Sequence, residues 1–271
     1  MRPAVSLADA FTASAPTPAR VLLFDLERLP GSFTRDIWEP RDLKYVNYIH
    51  PTSWSTMPTT LCGSWLWYGE RRPGFVAAWE NPDDRWHVAR RFRELLSEAD
   101  VVVTFNGRRA DLPWLRKDWA EAGIPTPRPF KDIDLYQVAR SALHLESASL
   151  AYLCAFLGLP GKIGKYNADE AKTAAATDGP ARRRLVKYSK ADSVIMAPVL
   201  DKLRPYIRGV NLGLYNMDVV ARCPACGSDA LTADGWTATT VTQYAAYRCE
   251  CGAVSRSKHR KHSVTMRGVA T

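Results

Sequence analysis

Asp25 and Glu27 stand two apart in the run Arg20-Val21-Leu22-Leu23-Phe24-Asp25-Leu26-Glu27-Arg28. Apolar residues at that density predict a strand, and in a strand residues two apart share a face. The two carboxylates therefore point together and flank an inward Leu26. On a central strand they repel each other and lose hydration, which costs several kcal/mol unless a cation compensates. A hard divalent ion, Mg²⁺ or Mn²⁺, takes carboxylate oxygens and is the natural compensation. The competing reading puts both acids at the solvent end of the strand, holding Arg20 or Arg28.

Two further acids fall where helices meet such a sheet. Asp111, in Asn106-Gly107-Arg108-Arg109-Ala110-Asp111-Leu112-Pro113, follows a β-branched run at 101–105. It can cap a helix whose Leu112, Leu115 and Trp119 share a face and which Gly123 ends. At the carboxyl edge of a sheet a capping carboxylate still has lone pairs for a metal. Asp192 falls in the helical stripe Leu185, Tyr188, Met196, Val199 and Leu203 of residues 181–204. An acid in an apolar stripe is rarely tolerated alone, so it pairs with an Arg or Lys or serves a site. Tyr188, one turn earlier, can share a water or a substrate oxygen with it. Pro198 is expected to bend or shorten the helix beyond that point.

The elements that must position these residues follow from pattern. Strands are predicted at 61–68 and 75–79, joined by the turn at 69–74, and Asp84 is placed to cap a helix carrying Val88, Phe92, Leu95 and Leu96. With the strand at 101–105 this order predicts a mixed sheet, an antiparallel meander continued by β–α units and flanked by helices. Pro125, Pro127 and Pro129 mark a loop, Asp134 caps a helix over 135–143, and Ser149 starts another that Gly158 stops. Its Leu150, Leu153 and Leu157 point inward. The long connection at 32–58 holds Phe33, Trp38, Tyr45, Tyr48 and Trp54, which stack on nucleotide bases or cap a sheet edge. Residues 161–165 lack the spacing of a nucleotide-triphosphate loop. Lys162 and Lys165 contact backbone phosphate or belong to a solvated loop.

Near the carboxyl end, Cys223-Pro224-Ala225-Cys226-Gly227 and Cys249-Glu250-Cys251-Gly252 enclose a strand-like insert at 235–248. Two cysteine pairs, each trailed by glycine, read as a zinc ribbon holding one structural Zn²⁺ on Cys223, Cys226, Cys249 and Cys251. The second pair is one residue shorter than usual, and local disulfides are the competing reading. Beyond it runs Arg256-Ser257-Lys258-His259-Arg260-Lys261-His262, expected as a basic tail over 257–271. Its Lys258, Arg260 and Lys261 suit phosphate, unless the run is only a solvated end.

Composition narrows the partners. The chain has 271 residues, a +9 formal charge and a pI near 9.3, which favours a polyanion: nucleic acid first, an anionic membrane second. No run approaches a membrane span, and residues 1–19 lack a signal-peptide core and read as a flexible arm. Cys62 and Cys154 lie in apolar runs and read as buried thiols, so the expected compartment is the cytoplasm.

In this order the motifs resemble the DEDD family of 3′–5′ exonucleases on the ribonuclease-H-like fold. Asp25 and Glu27 match the family's Asp-x-Glu strand. Asn106 and Asp111 match its second motif, with Ala110 where the family carries an aromatic. Tyr188 and Asp192 match Tyr-x-x-x-Asp, the mark of the tyrosine subclass. The wording around Asn106 and Asp111 is similar to the proofreading domains of family B polymerases and their phage relatives. The resemblance covers about residues 20–205. It implies an exonuclease domain at 20–210 before a ribbon at 219–256, and a two-metal hydrolysis of phosphodiesters, of DNA in the first place, in a phage or bacterial cytoplasm. Asp25, Glu27, Asp111 and Asp192 would hold two Mg²⁺ or Mn²⁺ ions with Asp25 bridging, and Tyr188 would orient the attacking water. Asn106, Arg108, Arg109, Lys162 and Lys165 are candidate nucleic-acid contacts. A single-stranded DNA or DNA 3′ end, and a replication or repair protein, are the implied partners. An endonuclease or ribonuclease on the same fold, or a silent nucleic-acid-binding scaffold, are the alternatives.

Overall fold

The computed structural model describes residues 18–36, 39, 48–161, 164, 166–216 and 220–269. The arm at 1–17, Trp38, Tyr45, Lys162 and Lys165 lie outside the described residues. The chain divides into two compact units, Arg20–Leu200 and one containing Asp201–Thr271.

The first unit is built on β1 (Val21–Leu29). After it come a short ribbon, β2 (Ser32–Phe33) and β3 (Trp54–Thr56), then β4 (Thr59–Trp67) and β5 (Gly74–Ala77). The β–α part follows as α1 (His87–Glu98), β6 (Val101–Thr104), α2 (Asp111–Ala122), β7 (Lys131–Asp134) and α3 (Leu135–Ala142). Three helices complete it: α4 (Leu150–Phe156), α5 (Ala168–Ala176) and α6 (Pro180–Leu203). The main sheet runs β5-β4-β1-β6-β7, antiparallel on the β4 side and parallel on the β6 side. This is the mixed α/β sheet expected from the order of elements, with β1 in the middle and buried by neighbours on both edges.

Alternation along β1 sorts its two faces. Leu22, Phe24 and Leu26 join Val88, Phe92, Leu95 and Leu96 of α1 and Leu112, Leu115 and Trp119 of α2 in one core. Phe92 lies 5.2 Å from Phe24, centroid to centroid, and fully burying a ring of this size contributes roughly 1.5–3 kcal/mol. The other face carries Leu61, Cys62 and Ala77 against Ala171 and Ala174 of α5 and Ala181 and Leu185 of α6. Asp25 and Glu27, out of phase with Leu26, belong to this second face.

Several expectations need correction. Asp84 does not cap α1: the cap position is Trp86, whose backbone N–H donates to Asp84 Oδ1 at 3.0 Å. Pro198 does not end α6, which runs on to Leu203. Pro125, Pro127 and Pro129 lie in irregular chain as expected, but a strand that was not predicted, β7, follows them; its Lys131-Asp132-Ile133-Asp134 is a charged edge strand with one buried apolar residue. Helix α5 was not foreseen, because its Ala-rich face gives weak periodicity. Asp134 does cap α3, accepting from the N–H groups of Tyr136 and Gln137. Ser149 likewise caps α4 through Tyr152 N–H.

In the second unit, β8 (Leu231–Ala238), β9 (Thr242–Cys249) and β10 (Val254–Ser263) form an antiparallel sheet. The basic run is therefore a strand up to Ser263 and not a free tail from 257 onward. Pairing with β9 orders a sequence whose charge alone suggests a solvated end.

Candidate active site

The strand β1 and helix α6 bring Asp25, Glu27 and Asp192 together. One carboxylate oxygen from each lies within 4.8 Å of the others. Glu27 and Asp192 are buried at 7% and 4% exposure, and Asp25 is half-buried. Three acids this close and this poorly hydrated make a hard-oxygen donor set that suits Mg²⁺ or Mn²⁺. The cationic neighbours of the alternative reading are occupied elsewhere: Arg20 bonds Glu98 at 3.1 Å, and Arg28 bonds Thr60 Oγ1 at 2.7 Å and pairs with Asp118 at 3.5 Å.

Asp111 is not part of that close group and is not a cap. It is the first residue of α2, after Ala110 in the cap position, and its Oδ1 accepts from the Leu26 N–H at 3.2 Å. Leu26 lies between Asp25 and Glu27, so Asp111 buttresses the strand that presents them. Burial is the largest influence on its carboxyl and raises the pKa to about 7, against the lowering effect of its hydrogen bonds to backbone N–H groups.

A second buttress joins β4 to α6. Ser64 faces Asp25 across the strand pair, and its Oγ donates to the Ser189 carbonyl at 2.6 Å. Ser189 follows Tyr188 and precedes Asp192 by less than one turn, so this buried bond sets the helix beside the acids. Tyr188 itself stacks on Tyr166, with centroids 6.2 Å apart and planes inclined by 17°. The Tyr166 hydroxyl donates to the Arg28 carbonyl at 2.7 Å. Burial, chiefly, pushes the Tyr166 phenol well up, keeping it protonated as a donor.

Beside Asp25 and Asp192 opens a cavity of about 490 Å³, lined in part by Phe105, Asn106, Tyr136 and Ser149. Asn106 adopts φ 65°, a left-handed conformation that asparagine tolerates. Its N–H donates to Asp134 Oδ1 at 2.9 Å, and that of Arg108 to Asp134 Oδ2 at 3.2 Å. Asp134 thus holds the loop and the start of α3 at once. Gly107 permits the turn, since a Cβ there would lie 2.5 Å from Thr104 Cβ. Arg108 is turned to the sheet edge, its Nε 2.8 Å from Asp132 Oδ2, while Arg109 is exposed. Sequence reasoning passed over Ser64 and Asp118, and read Asp134 as the cap of α3 without its second role under the Asn106 loop.

In the second unit, the Sγ atoms of Cys223 and Cys251 are 3.8 Å apart and those of Cys226 and Cys249 3.5 Å. Four thiolates about 2.3 Å from one tetrahedral Zn²⁺ have sulfurs about 3.8 Å apart, so the cluster fits that ion. None of the six cysteines is in a disulfide, and Cys62 and Cys154 are buried as expected. Gly227 and Gly252, at φ 80° and 84°, turn each cysteine loop back on itself. Lys258, Arg260 and Lys261 lie on exposed parts of β10.

A five-stranded mixed sheet with an acid cluster at its middle strand defines the ribonuclease-H-like class. The chain belongs to the RNase H superfamily: the family model matches residues 51–204, more than half of its length. Among solved structures, the family B DNA polymerase of the hyperthermophilic archaeon Pyrobaculum calidifontis is similar over 72% of this chain, at 17% identity and a TM-score of 0.48. That likeness takes in 26% of the polymerase chain. No curated protein sequence matches this one. No helix among the described residues is long and apolar enough to cross a membrane.

Proposed function

We propose that the chain is a metal-dependent 3′–5′ exonuclease that hydrolyses the phosphodiesters of nucleic acid, DNA in the first place. The observation that carries this reading is the meeting of Asp25, Glu27 and Asp192 on the middle strand and last helix of an RNase H superfamily sheet. When bound, two Mg²⁺ or Mn²⁺ ions neutralise the charge that builds at phosphorus and lower the pKa of the attacking water. Asp25, Glu27 and Asp192 would hold them, and Asp111, bonded to the Leu26 N–H, would complete the acid set. Tyr188 directs a water toward the scissile phosphate from one turn before Asp192. Its stacked partner Tyr166 holds the ring in place. The cavity edged by Phe105, Asn106 and Tyr136 has room for a terminal nucleotide.

Beyond residue 210, we read residues 219–256 as a ribbon whose Zn²⁺ is structural, because four thiolates leave no open position. The test is a time course with Mn²⁺ on single-stranded DNA labelled at its 5′ end, beside matched RNA and the Asp25→Ala variant. Products that shorten one nucleotide at a time and vanish in the variant support the reading. Discrete internal products would replace it with an endonuclease. No cleavage of either strand would overturn it.

A further inference from the structure

The three-stranded sheet of the second unit has more aromatic surface than its packing uses. Among the described residues, it packs on the cysteine cluster with Ala225, Ala253 and Leu231. From Thr232 to the end of β8 every residue is exposed, and there stands Trp236 at 53% exposure. An indole in that position contributes little burial and keeps its ring in water, so the fold does not explain it. Lys261 Nζ sits over this ring, 3.2 Å from the centroid. The three strands hold five Lys or Arg against one acid, Asp234, and Arg248 pairs with that acid at 2.7 Å. Four of the five cations, Arg256, Lys258, Arg260 and Lys261, lie on β10.

We propose that Trp236 and Lys261 form a stacking site for one unpaired base of a single-stranded nucleic acid, with the adjacent phosphate on Lys261. This rests on the reading of the chain as a nucleic-acid enzyme, and assigns the ribbon's sheet a substrate-holding role. A ring face accepts a base only when the base has left its own stack, which selects single strands over duplex. An ammonium parked on the ring is displaced by the base and is then a short swing from the adjacent phosphate. Register supplies an internal control. Trp236 opposes Ala245 whereas Tyr244 opposes Thr237, so the two aromatics occupy opposite faces. Tyr244 already carries the Arg256 guanidinium 3.8 Å over its ring.

The test is binding of a labelled single-stranded oligonucleotide to the full chain by fluorescence anisotropy, with zinc present and Mg²⁺ and Mn²⁺ absent so that nothing is cut. Trp236→Ala should weaken binding about tenfold, Trp236→Phe should restore most of it, and Tyr244→Ala, which removes the ring on the opposite face, should leave it unchanged. Lys261→Ala should weaken binding and flatten its salt dependence by roughly one counterion. Blunt duplex should bind alike to wild type and Trp236→Ala. Zinc content equal to wild type shows that each variant is folded. Wild-type affinity in Trp236→Ala, or displacement of the strand by polyglutamate of equal charge, overturns the proposal. The cleavage assay is read separately: stacking-dependent binding without cleavage removes the nuclease reading alone, and cleavage without Trp236 dependence removes this one alone.

Discussion

The N–H of Leu26 donates to Asp111 Oδ1 at 3.2 Å, joining the first turn of α2 to the strand residue that separates Asp25 from Glu27. One hydrogen bond thus couples the helix after β6 to the register of the acid pair. It also fixes a carboxyl group where hydration is nearly lost, which is why its pKa rises to about 7.

The sign of the resulting pH dependence follows from linkage. Below about pH 4 both folded and unfolded chains keep this proton, and the group is neutral to stability. Between about pH 4 and 7 the unfolded chain has released it while the folded chain retains it, so stability falls as pH rises and the penalty is complete above about 7. In buffer without Mg²⁺ or Mn²⁺, Asp111→Asn should raise Tm by several degrees at about pH 8, and the gain should shrink toward about pH 5. A gain independent of pH in a thermal-shift series would trace the effect to packing instead.

Asp25→Ala and Asp192→Ala each remove a member of the acid cluster, and each should lower cleavage by about a thousandfold or more. Binding of a single strand should persist, because these carboxylates repel phosphate when no cation is bound. Single-turnover rates and anisotropy on the same preparations separate the two effects. Near-wild-type turnover in either variant would remove these acids from the mechanism.

Arg28 and Asp118 form a second buried charge system. Asp118 Oδ2 lies 3.5 Å from Arg28 Nη1 and accepts the Thr60 hydroxyl at 2.5 Å, and the two charged side chains are only 14% and 5% exposed. Burial lowers the Arg28 pKa and Asp118 opposes that change. Asp118→Ala leaves the guanidinium without its counter-charge and should cost about 3–5 kcal/mol in chemical denaturation. Replacing the pair together, as Arg28→Met with Asp118→Leu, should recover most of the loss. A double variant no better than the single one would refute the uncompensated charge as the cause.

Zinc content gives a separate prediction for the second unit. One Zn²⁺ per chain is expected in the wild type, and Cys223→Ser should lose it and expose β8, β9 and β10 to limited proteolysis. The Arg20–Leu200 unit should remain resistant, since its sheet and cores contain none of the four thiols. Wild type without zinc by elemental analysis would contradict the ribbon.

Gly63 tests the packing behind the acids. A Cβ there would lie 2.4 Å from Phe92 Cε2 and 2.6 Å from Leu26 Cδ2, in a region with little slack. Gly63→Ala should destabilise by about 1–3 kcal/mol through overpacking. Because Leu26 shares that contact, metal affinity measured by Mn²⁺ titration should fall as well. Unchanged stability would mean the ring of Phe92 has room to turn away.

Local pattern determined a good part of this protein. The alternation of β1 placed Asp25 and Glu27 on one face, and the three- and four-residue spacing of α6 placed Tyr188 and Asp192 on one stripe. The strand and helix order pointed to the mixed sheet, because connection length and handedness leave few topologies. The glycine-flanked cysteine pairs marked the cluster that the fold gathers. What the chain's periodicity could not carry is anything decided between distant segments. The charged edge strand β7 exists because β6 offers it a ladder, and the basic run of β10 is ordered by pairing with β9. Asp111 reads as a helix cap in sequence, but its side chain turns instead to Leu26, 85 residues away. Ser64 looks like an ordinary polar residue until the fold sets it against Ser189, and Asp134 reads as a cap alone until the fold also sets it under the Asn106 loop. A side chain's intrinsic preference acts over a turn or two, whereas hydrogen-bond partners and burial are set by whichever segment folding brings alongside.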